Sequence, residues 1–225
     1  MLFRSQHAPL AVTWEAPEPL RTQLRNLLPP PAPEAGDAHA AALRPWVRDV
    51  RRRVPEIAAA EGYFSATVEV DWESGRESAT VVVVAGPRTV VSKIDIEIAG
   101  DLAGEGEERA ARRHEVREAW ALKEGAPFRS ADWEEAKRGL REKLVEEDYA
   151  AGDLVESEAE VDADTATARL RLKLESGPRL TLGEPVVTGL VRYPESIVRR
   201  VYTIVPGERY RQERQIGRAS CRERV

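Results

Sequence analysis

The sequence has few of the residues on which catalytic and metal sites depend. It contains one cysteine, Cys221, and three histidines, His7, His39 and His114, which lie far apart along the chain. A single thiol cannot form an internal disulfide, and the histidines lack the spacing of a metal site. We therefore expect no disulfide, no metal and no other cofactor.

Long apolar runs and catalytic motifs are also missing. No stretch approaches the roughly 18 apolar residues that a membrane-spanning helix requires, so we expect this chain not to span a membrane. Gly-x-Ser-x-Gly, His-Glu-x-x-His and Walker-type motifs do not occur. The pair Asp162 and Asp164 lacks the Gly and Glu of a calcium-binding loop. We expect no catalytic residues and a protein that is not an enzyme.

Positive charge is not in excess. The chain has 34 Lys and Arg against 39 Asp and Glu, a net charge of -5, whereas binding of nucleic-acid phosphates needs clustered cations. The triplet Arg51-Arg52-Arg53 lies among apolar residues at helical spacing, which is typical of a solvated helix face. The charge pattern argues against a nucleic-acid partner.

Both ends of the chain resemble translated synthetic DNA. The tail "IGRASCRERV" at 216–225 and the start "MLFRS" at 1–5 match the translations of two short-read sequencing adapters. We therefore expect the natural segment to be an internal fragment of a longer gene. Residues 1–9 are expected to be a non-native, disordered start, and residues 215–225 a disordered adapter translation.

The sequence between these ends alternates between strand and helix patterns in a fixed order. Apolar spacing predicts a strand, two helices and two strands over residues 10–16, 18–28, 41–61, 63–73 and 78–85. Residues 63–73 alternate apolar and polar side chains, as in a strand with one wet face. Residues 81–84 are apolar without alternation, which predicts the central strand of a small sheet.

The same order follows once more. Residues 90–99, 107–122, 130–149, 154–163 and 169–174 predict a strand, two helices and two strands. In the last pair of strands, Glu156, Glu158 and Glu160 alternate with Val155, Ser157, Ala159 and Val161, which point to the opposite face of the strand. An antiparallel pairing sets these glutamates against the cations Arg169, Arg171 and Lys173. This pairing fixes the register, because a slip of one residue buries the charges.

Each predicted unit ends in the same three residues. "GPR" occurs at 86–88 and at 177–179, after the last strand of one unit and before the first strand of the next. We therefore predict tandem βααββ modules at residues 10–88 and 89–179, and the truncated start of a third module at 180–214. The predicted fold class is α+β, with each module a three-stranded mixed sheet packed on two helices.

These modules resemble the POTRA domains of bacterial outer-membrane assembly factors, and are most similar to the TamA type within the BamA superfamily. The resemblance is carried by "EGYFSATVEV" (61–70), "GPRTVVSKIDIEIAG" (86–100), "FRSADWEEAKRGLREKL" (128–144) and "RYPESIVRRVYTIVPGERY" (192–210). In one departure, Asp148 stands where a POTRA helix usually ends in Gly before Tyr.

The resemblance implies a docking and chaperone-like arm at the periplasmic face of the outer membrane. The implied partners are nascent outer-membrane proteins, an inner-membrane TamB-like protein and a C-terminal β-barrel of the same protein, missing from this chain. The POTRA region of BamA or of a two-partner secretion transporter is an alternative within the family. The non-catalytic part of a soluble enzyme, with its site in missing sequence, is an alternative of another class.

An exposed edge strand can bind an extended partner by β-augmentation. The strands with a polar face are the candidates, and the expected contact residues are Tyr63, Ser65, Thr67, Glu69, Asp71, Glu156, Glu158 and Glu160. Charges on such strands can also serve only to block unwanted pairing. The sequence is compatible with both roles, partner binding and protection of the edge.

Overall fold

The computed structural model describes residues 10–32, 37–73, 78–184, 186, 194, 196–197 and 204–213. Within these residues the order βααββ occurs twice. The elements are β1 (Ala11–Glu15), α1 (Leu20–Leu27), α2 (Asp37–Ala60), β2 (Thr67–Asp71), β3 (Ser78–Val84), β4 (Val90–Ala99), α3 (Glu107–Glu118), α4 (Ser130–Val145), β5 (Asp153–Asp162) and β6 (Thr167–Glu175). The two predicted terminal segments, residues 74–77 and most of 185–203 lie outside the described residues.

The first sheet has the order β1-β3-β2. Strand β3 pairs with β1 in parallel and with β2 antiparallel, so that Val81 lies between Trp14 and Val70. Ala79, Val81 and Val83 of β3 are buried. The apolar run therefore marks the central strand, as the sequence predicts.

Helices α1 and α2 supply the other side of this core. Leu20 and Leu24 of α1 and Val50 and Val54 of α2 are fully buried in one cluster with Val81. Burying one such side chain contributes about 1.5–3 kcal/mol. These residues of the two helices therefore complete the core on one face of the sheet.

The second sheet has the order β4-β6-β5. Its central strand β6 carries four alternating buried side chains, and helix α4 carries four more: Ala168, Leu170, Leu172, Leu174, Trp133, Ala136, Leu140 and Leu144. The strand β4 has the predicted bounds. The fold is therefore α+β, with small three-stranded sheets packed with helices, as predicted.

The chain separates into two compact units. The first contains Met1–Lys93, Leu122–Trp133 and Glu160–Arg169, and the second contains Ile94–Ala121, Glu134–Ala159 and Leu170–Val225. The limits at 88/89 and 179/180 that the sequence suggests stay a prediction. In the described part of the chain, every helix is too short or too polar to cross a membrane.

Strand β2 starts later than predicted, because the backbone amides around the start of the predicted strand are hydrogen-bonded to the end of helix α2. The Tyr63 amide donates to the Ala58 carbonyl, and the Gly62 amide donates to the Ala59 carbonyl. Together with the left-handed φ of +93° at Gly62, these bonds form a Schellman end to the helix. The strand begins only at Thr67, four residues after the predicted start at Tyr63.

Candidate partner-binding strands and junctions

Strands β2 and β5 each lie at the edge of a three-stranded sheet. The predicted contact residues Thr67, Glu69 and Asp71 lie on β2, and Glu156, Glu158 and Glu160 lie on β5, all exposed. The predicted contact residues Tyr63 and Ser65 lie in the segment of turns before β2. The structure thus places six of these residues on strands at sheet edges.

The edge at β2 is short. It has five residues, and its inner face is only half-buried at Val68 and Val70. The guanidinium of Arg51 donates to the Val70 carbonyl at 3.4 Å. A side chain of α2 therefore already contacts the backbone of this strand.

The edge at β5 is longer. The strand has ten residues, and four consecutive positions, 155–158, are exposed. The side chain of Val155, on the face opposite to the glutamates of β5, is 53% exposed. The buried side chains of this sheet belong to the central strand β6, and β5 has half-buried positions at most.

Opposite charges face each other across β5 and β6, as the sequence predicts. Arg171 lies 3.7 Å from Glu158, and Lys173 lies 3.9 Å from Glu156 and 3.5 Å from Glu97 on β4. These side chains are exposed, so each pair stabilises the sheet by about 0.2–1 kcal/mol. The cations of β6 therefore lie between Glu97 of β4 and the glutamates of β5 on the solvent face.

The segments around the two Gly-Pro-Arg sequences form similar hydrogen-bonded structures. We call the first one the first junction, and it comprises residues 61–63, 86–91 and 125–129, all in the first unit. The Thr89 amide donates to the Gly62 carbonyl at 2.8 Å, and the Phe128 amide donates to the Thr89 carbonyl at 2.9 Å. The Gly125 amide donates to the Val91 carbonyl at 2.8 Å.

The second junction, which lies in the second unit, comprises residues 147–149, 177–182 and 207–211. Its bonds repeat those of the first. The Leu180 amide donates to the Asp148 carbonyl at 2.7 Å, the Tyr210 amide to the Leu180 carbonyl at 3.2 Å, and the Gly207 amide to the Leu182 carbonyl at 2.8 Å. The recurring Gly-Pro-Arg therefore marks a recurring backbone structure.

A buried carboxylate completes the first junction. Glu61 is 7% exposed and accepts two hydrogen bonds from the Arg129 guanidinium, at 3.0 and 3.1 Å. It also accepts one from Gln23 at 2.6 Å, while Arg88 donates to its backbone carbonyl at 3.2 Å. Burial opposes ionisation, but the hydrogen bonds from Arg129 and Gln23 outweigh it and hold the pKa of the Glu61 carboxyl below its ordinary value.

The second junction has its own ion pairs. Arg179 donates to Asp148 at 3.0 Å and to both carboxylate oxygens of Glu108 at 3.0 and 3.1 Å. Arg211 lies 3.8 Å from Glu147, in the place that Arg129 and Glu61 have in the first junction. A Glu and an Arg thus meet in both junctions.

These ion pairs were not predicted from the sequence. Glu61 and Arg129 are 68 residues apart, and no local period connects them. The available signal was the repetition of "EGY" and "EDY" before the strands and of "FRS" and "YRQ" after the glycines. In the part of the chain that the structure describes, no three His, Cys, Asp or Glu side chains are grouped to hold a metal ion.

Neither a family model nor a curated protein matches this sequence. Among solved structures, the crystal structure of POTRA domains 3–5 of BamA from Haemophilus influenzae has 19% identity and a TM-score of 0.45, over 96% of this chain and 85% of that one. POTRA domains 1–3 of the periplasmic domain of Omp85 from Anabaena have 11% identity and a TM-score of 0.34, over 79% and 67%. The N-terminal domain of Omp85 from Thermosynechococcus elongatus has 14% identity and a TM-score of 0.35, over 77% and 68%. At these identities the similarity concerns the fold alone.

Proposed function

We propose that this chain is part of the periplasmic arm of a bacterial outer-membrane protein assembly factor of the TamA type. In this role it binds nascent outer-membrane proteins and an inner-membrane TamB-like partner, and it carries out no reaction of its own. The proposal is supported by the twofold βααββ order with three-stranded sheets and by the stretches that resemble POTRA domains.

The open edge of β5 is the observation that carries the binding mechanism. In the described part of the chain, β5 pairs with β6 along one side and with no strand along the other. An extended segment that adds to this side gains main-chain hydrogen bonds and needs no particular sequence for them. This tolerance suits a protein that handles many different clients.

Proline substitutions test the mechanism, because proline removes an amide donor from an edge. The probe is a synthetic peptide with the sequence of β6, Thr167–Glu175, and binding is followed by amide chemical shifts of the labelled chain. We expect the peptide to shift the amides of β5 or β2, and Glu158→Pro or Glu69→Pro to weaken binding at least tenfold at the strand in use.

Neighbouring prolines supply the control. Adjacent amides of a strand point in opposite directions, so Ser157→Pro and Val68→Pro affect the other side of each strand. A proline that removes an amide bonded within the sheet disrupts the fold, whereas a proline on the open side does not. Circular dichroism therefore identifies, for each strand, the proline variant that still folds, and this variant tests binding at the open edge. Undiminished peptide binding by the folded variants of both strands, or no amide shifts in either strand, contradicts the proposed function.

A further inference from the structure

The open side of β5 presents a row of acidic side chains. Glu156, Glu158 and Glu160 alternate along the strand and share its solvent face. The side chains of Glu156 and Glu158 are 74% and 65% exposed even though they pair with β6. A carboxylate has room for several hydrogen-bond donors, so these groups can also face a cation from the open side.

Strand β6 shows what kind of strand fits this row. Its residues Arg169, Arg171 and Lys173 lie on the charged face, and the residues between them are buried and apolar. Two of the cations lie within 4 Å of the β5 glutamates, Arg171 at Glu158 and Lys173 at Glu156. Strand β6, which pairs with β5 in this chain, is therefore itself a strand of alternating basic and apolar residues.

The opposite face of β5 carries an exposed apolar side chain. Val155 alternates with Glu156 and so lies on the other face, where its side chain is 53% exposed. An apolar residue on an added strand can cover it, since side chains directly opposite in neighbouring strands lie about 4.5–5.5 Å apart. The two faces of β5 together fit a strand with cations on one face and aliphatic residues on the other.

We propose that the β5 edge selects extended segments with Lys or Arg at alternate positions and aliphatic residues between them. This inference rests on the proposed function and names the chemistry of the segment that the site prefers. The charge on the row sets the preference among segments, while the main-chain hydrogen bonds are common to all of them. Strand β2 is the weaker candidate, because it has half the length and Arg51 contacts its Val70 carbonyl.

Three peptides test the preference. The first has the sequence of β6, and in the others Arg169, Arg171 and Lys173 are all replaced by Gln or all by Glu. Because opposite charges across two strands attract and like charges repel by similar amounts, we expect the basic peptide to bind about tenfold or more tightly than the acidic one. The neutral peptide is expected between them, and 0.5 M salt should narrow the range because it screens exposed charges.

Matched variants locate the effect. Glu156→Gln with Glu158→Gln is expected to bring the three affinities to within about threefold of one another. The control, Glu118→Gln with Glu142→Gln, makes the same change of charge at exposed helix positions and is expected to leave the preference unchanged. Amide chemical shifts report whether each variant is folded and whether the peptide lies along β5.

The outcomes separate this inference from the proposed function. Equal binding of the three peptides along β5 overturns the charge preference and leaves β-augmentation intact. The charge preference of the β5 edge is also overturned if the preference remains in the Glu156→Gln, Glu158→Gln variant, or if it decreases equally in the helix control. Either result shows that the preference does not depend specifically on the β5 glutamates. No shifts along β5 or β2 with any peptide reject the proposed function itself.

Discussion

At the scale of single residues, one position distinguishes the two junctions. Gly62 has a φ of +93°, and Asp148, which stands in its place in the second junction, has a φ of +64°. This conformation costs most residues about 1–2 kcal/mol, although Asp and Asn adopt it more readily. The Arg179 guanidinium contacts the Asp148 carboxylate at 3.0 Å, so the departure from the POTRA pattern adds an ion pair where glycine offers none.

Substitutions at Asp148 separate the backbone effect from the ion pair. Asp148→Gly and Asp148→Ala both remove the carboxylate, but only glycine adopts a positive φ without strain. We therefore expect Asp148→Gly to be more stable than Asp148→Ala by about 1 kcal/mol in urea unfolding. Equal stability of the two variants contradicts a left-handed backbone at this position.

The Glu61 carboxylate predicts a specific dependence of stability on pH. Its pKa in the folded chain lies below the ordinary value of 4.5, so ionised Glu61 stabilises the fold above pH 4.5. This stabilisation is lost as the pH falls below 4.5 and through the lowered pKa. We expect Glu61→Gln to reduce the free energy of unfolding by about 1.5–3 kcal/mol at pH 7, and the difference from the parent chain to shrink by pH 3.

The control for this prediction is an acidic residue on the surface. Glu56 is exposed and lies 3.9 Å from Arg52, and a pair of this kind contributes little. Glu56→Gln is expected to lie within about 0.5 kcal/mol of the parent at every pH. A constant difference between Glu61→Gln and the parent from pH 7 to pH 3 is the result that contradicts the assigned role of Glu61.

At the scale of the elements, periodicity predicts most bounds well, and local competition for backbone groups explains the late start of strand β2. The sequence predicts the strand β4 at its observed bounds because Ile94, Ile96 and Ile98 alternate with acidic residues. Strand β2 starts late because the Tyr63 amide belongs to the end of α2. An alternating pattern states which side chains face the core, but it does not reveal which amides a preceding helix uses.

The two Gly-Pro-Arg segments allow a matched test of close packing. Gly86 and Gly177 have φ values of +71° and +64°, so alanine is strained at both. A Cβ atom at Gly86 would lie 2.4 Å from the Ser65 hydroxyl oxygen, whereas at Gly177 the nearest atom lies at 3.5 Å. We expect Gly177→Ala to cost about 1–2 kcal/mol from strain alone, and Gly86→Ala to cost more, as measured by urea unfolding.

Adding Ser65→Ala to Gly86→Ala identifies the cause of the extra loss of stability. It removes the hydroxyl that a Cβ atom at Gly86 would meet, so it should restore part of the stability of Gly86→Ala. The same Ser65→Ala change should leave the cost of Gly177→Ala unchanged, because the atoms nearest to a Cβ at Gly177 belong to Ala151. Equal costs of the two alanine substitutions contradict the close approach at Gly86.

At the scale of the whole molecule, the sequence predicts the repetition but not the contacts that join distant segments. The order βααββ follows from helix and strand periods, and the charge pattern of β5 and β6 predicts their pairing. Glu61 and Arg129 meet across 68 residues, and such contacts depend on the fold as a whole. The exposure of Val155 does not follow from the sequence either, because alternation alone does not state how far a core extends under an edge strand.

The charged rows of the second sheet have one further consequence. Positive side chains on β6 lie between negative side chains on β4 and β5, so their fields largely cancel beyond the Debye length of about 8 Å. On the binding mode proposed above, an approaching segment is therefore not attracted from a distance and is selected only on contact. Because the glutamates repeat every second residue, we expect such a segment to be able to shift by two residues, about 6.8 Å, and still meet glutamates of the row.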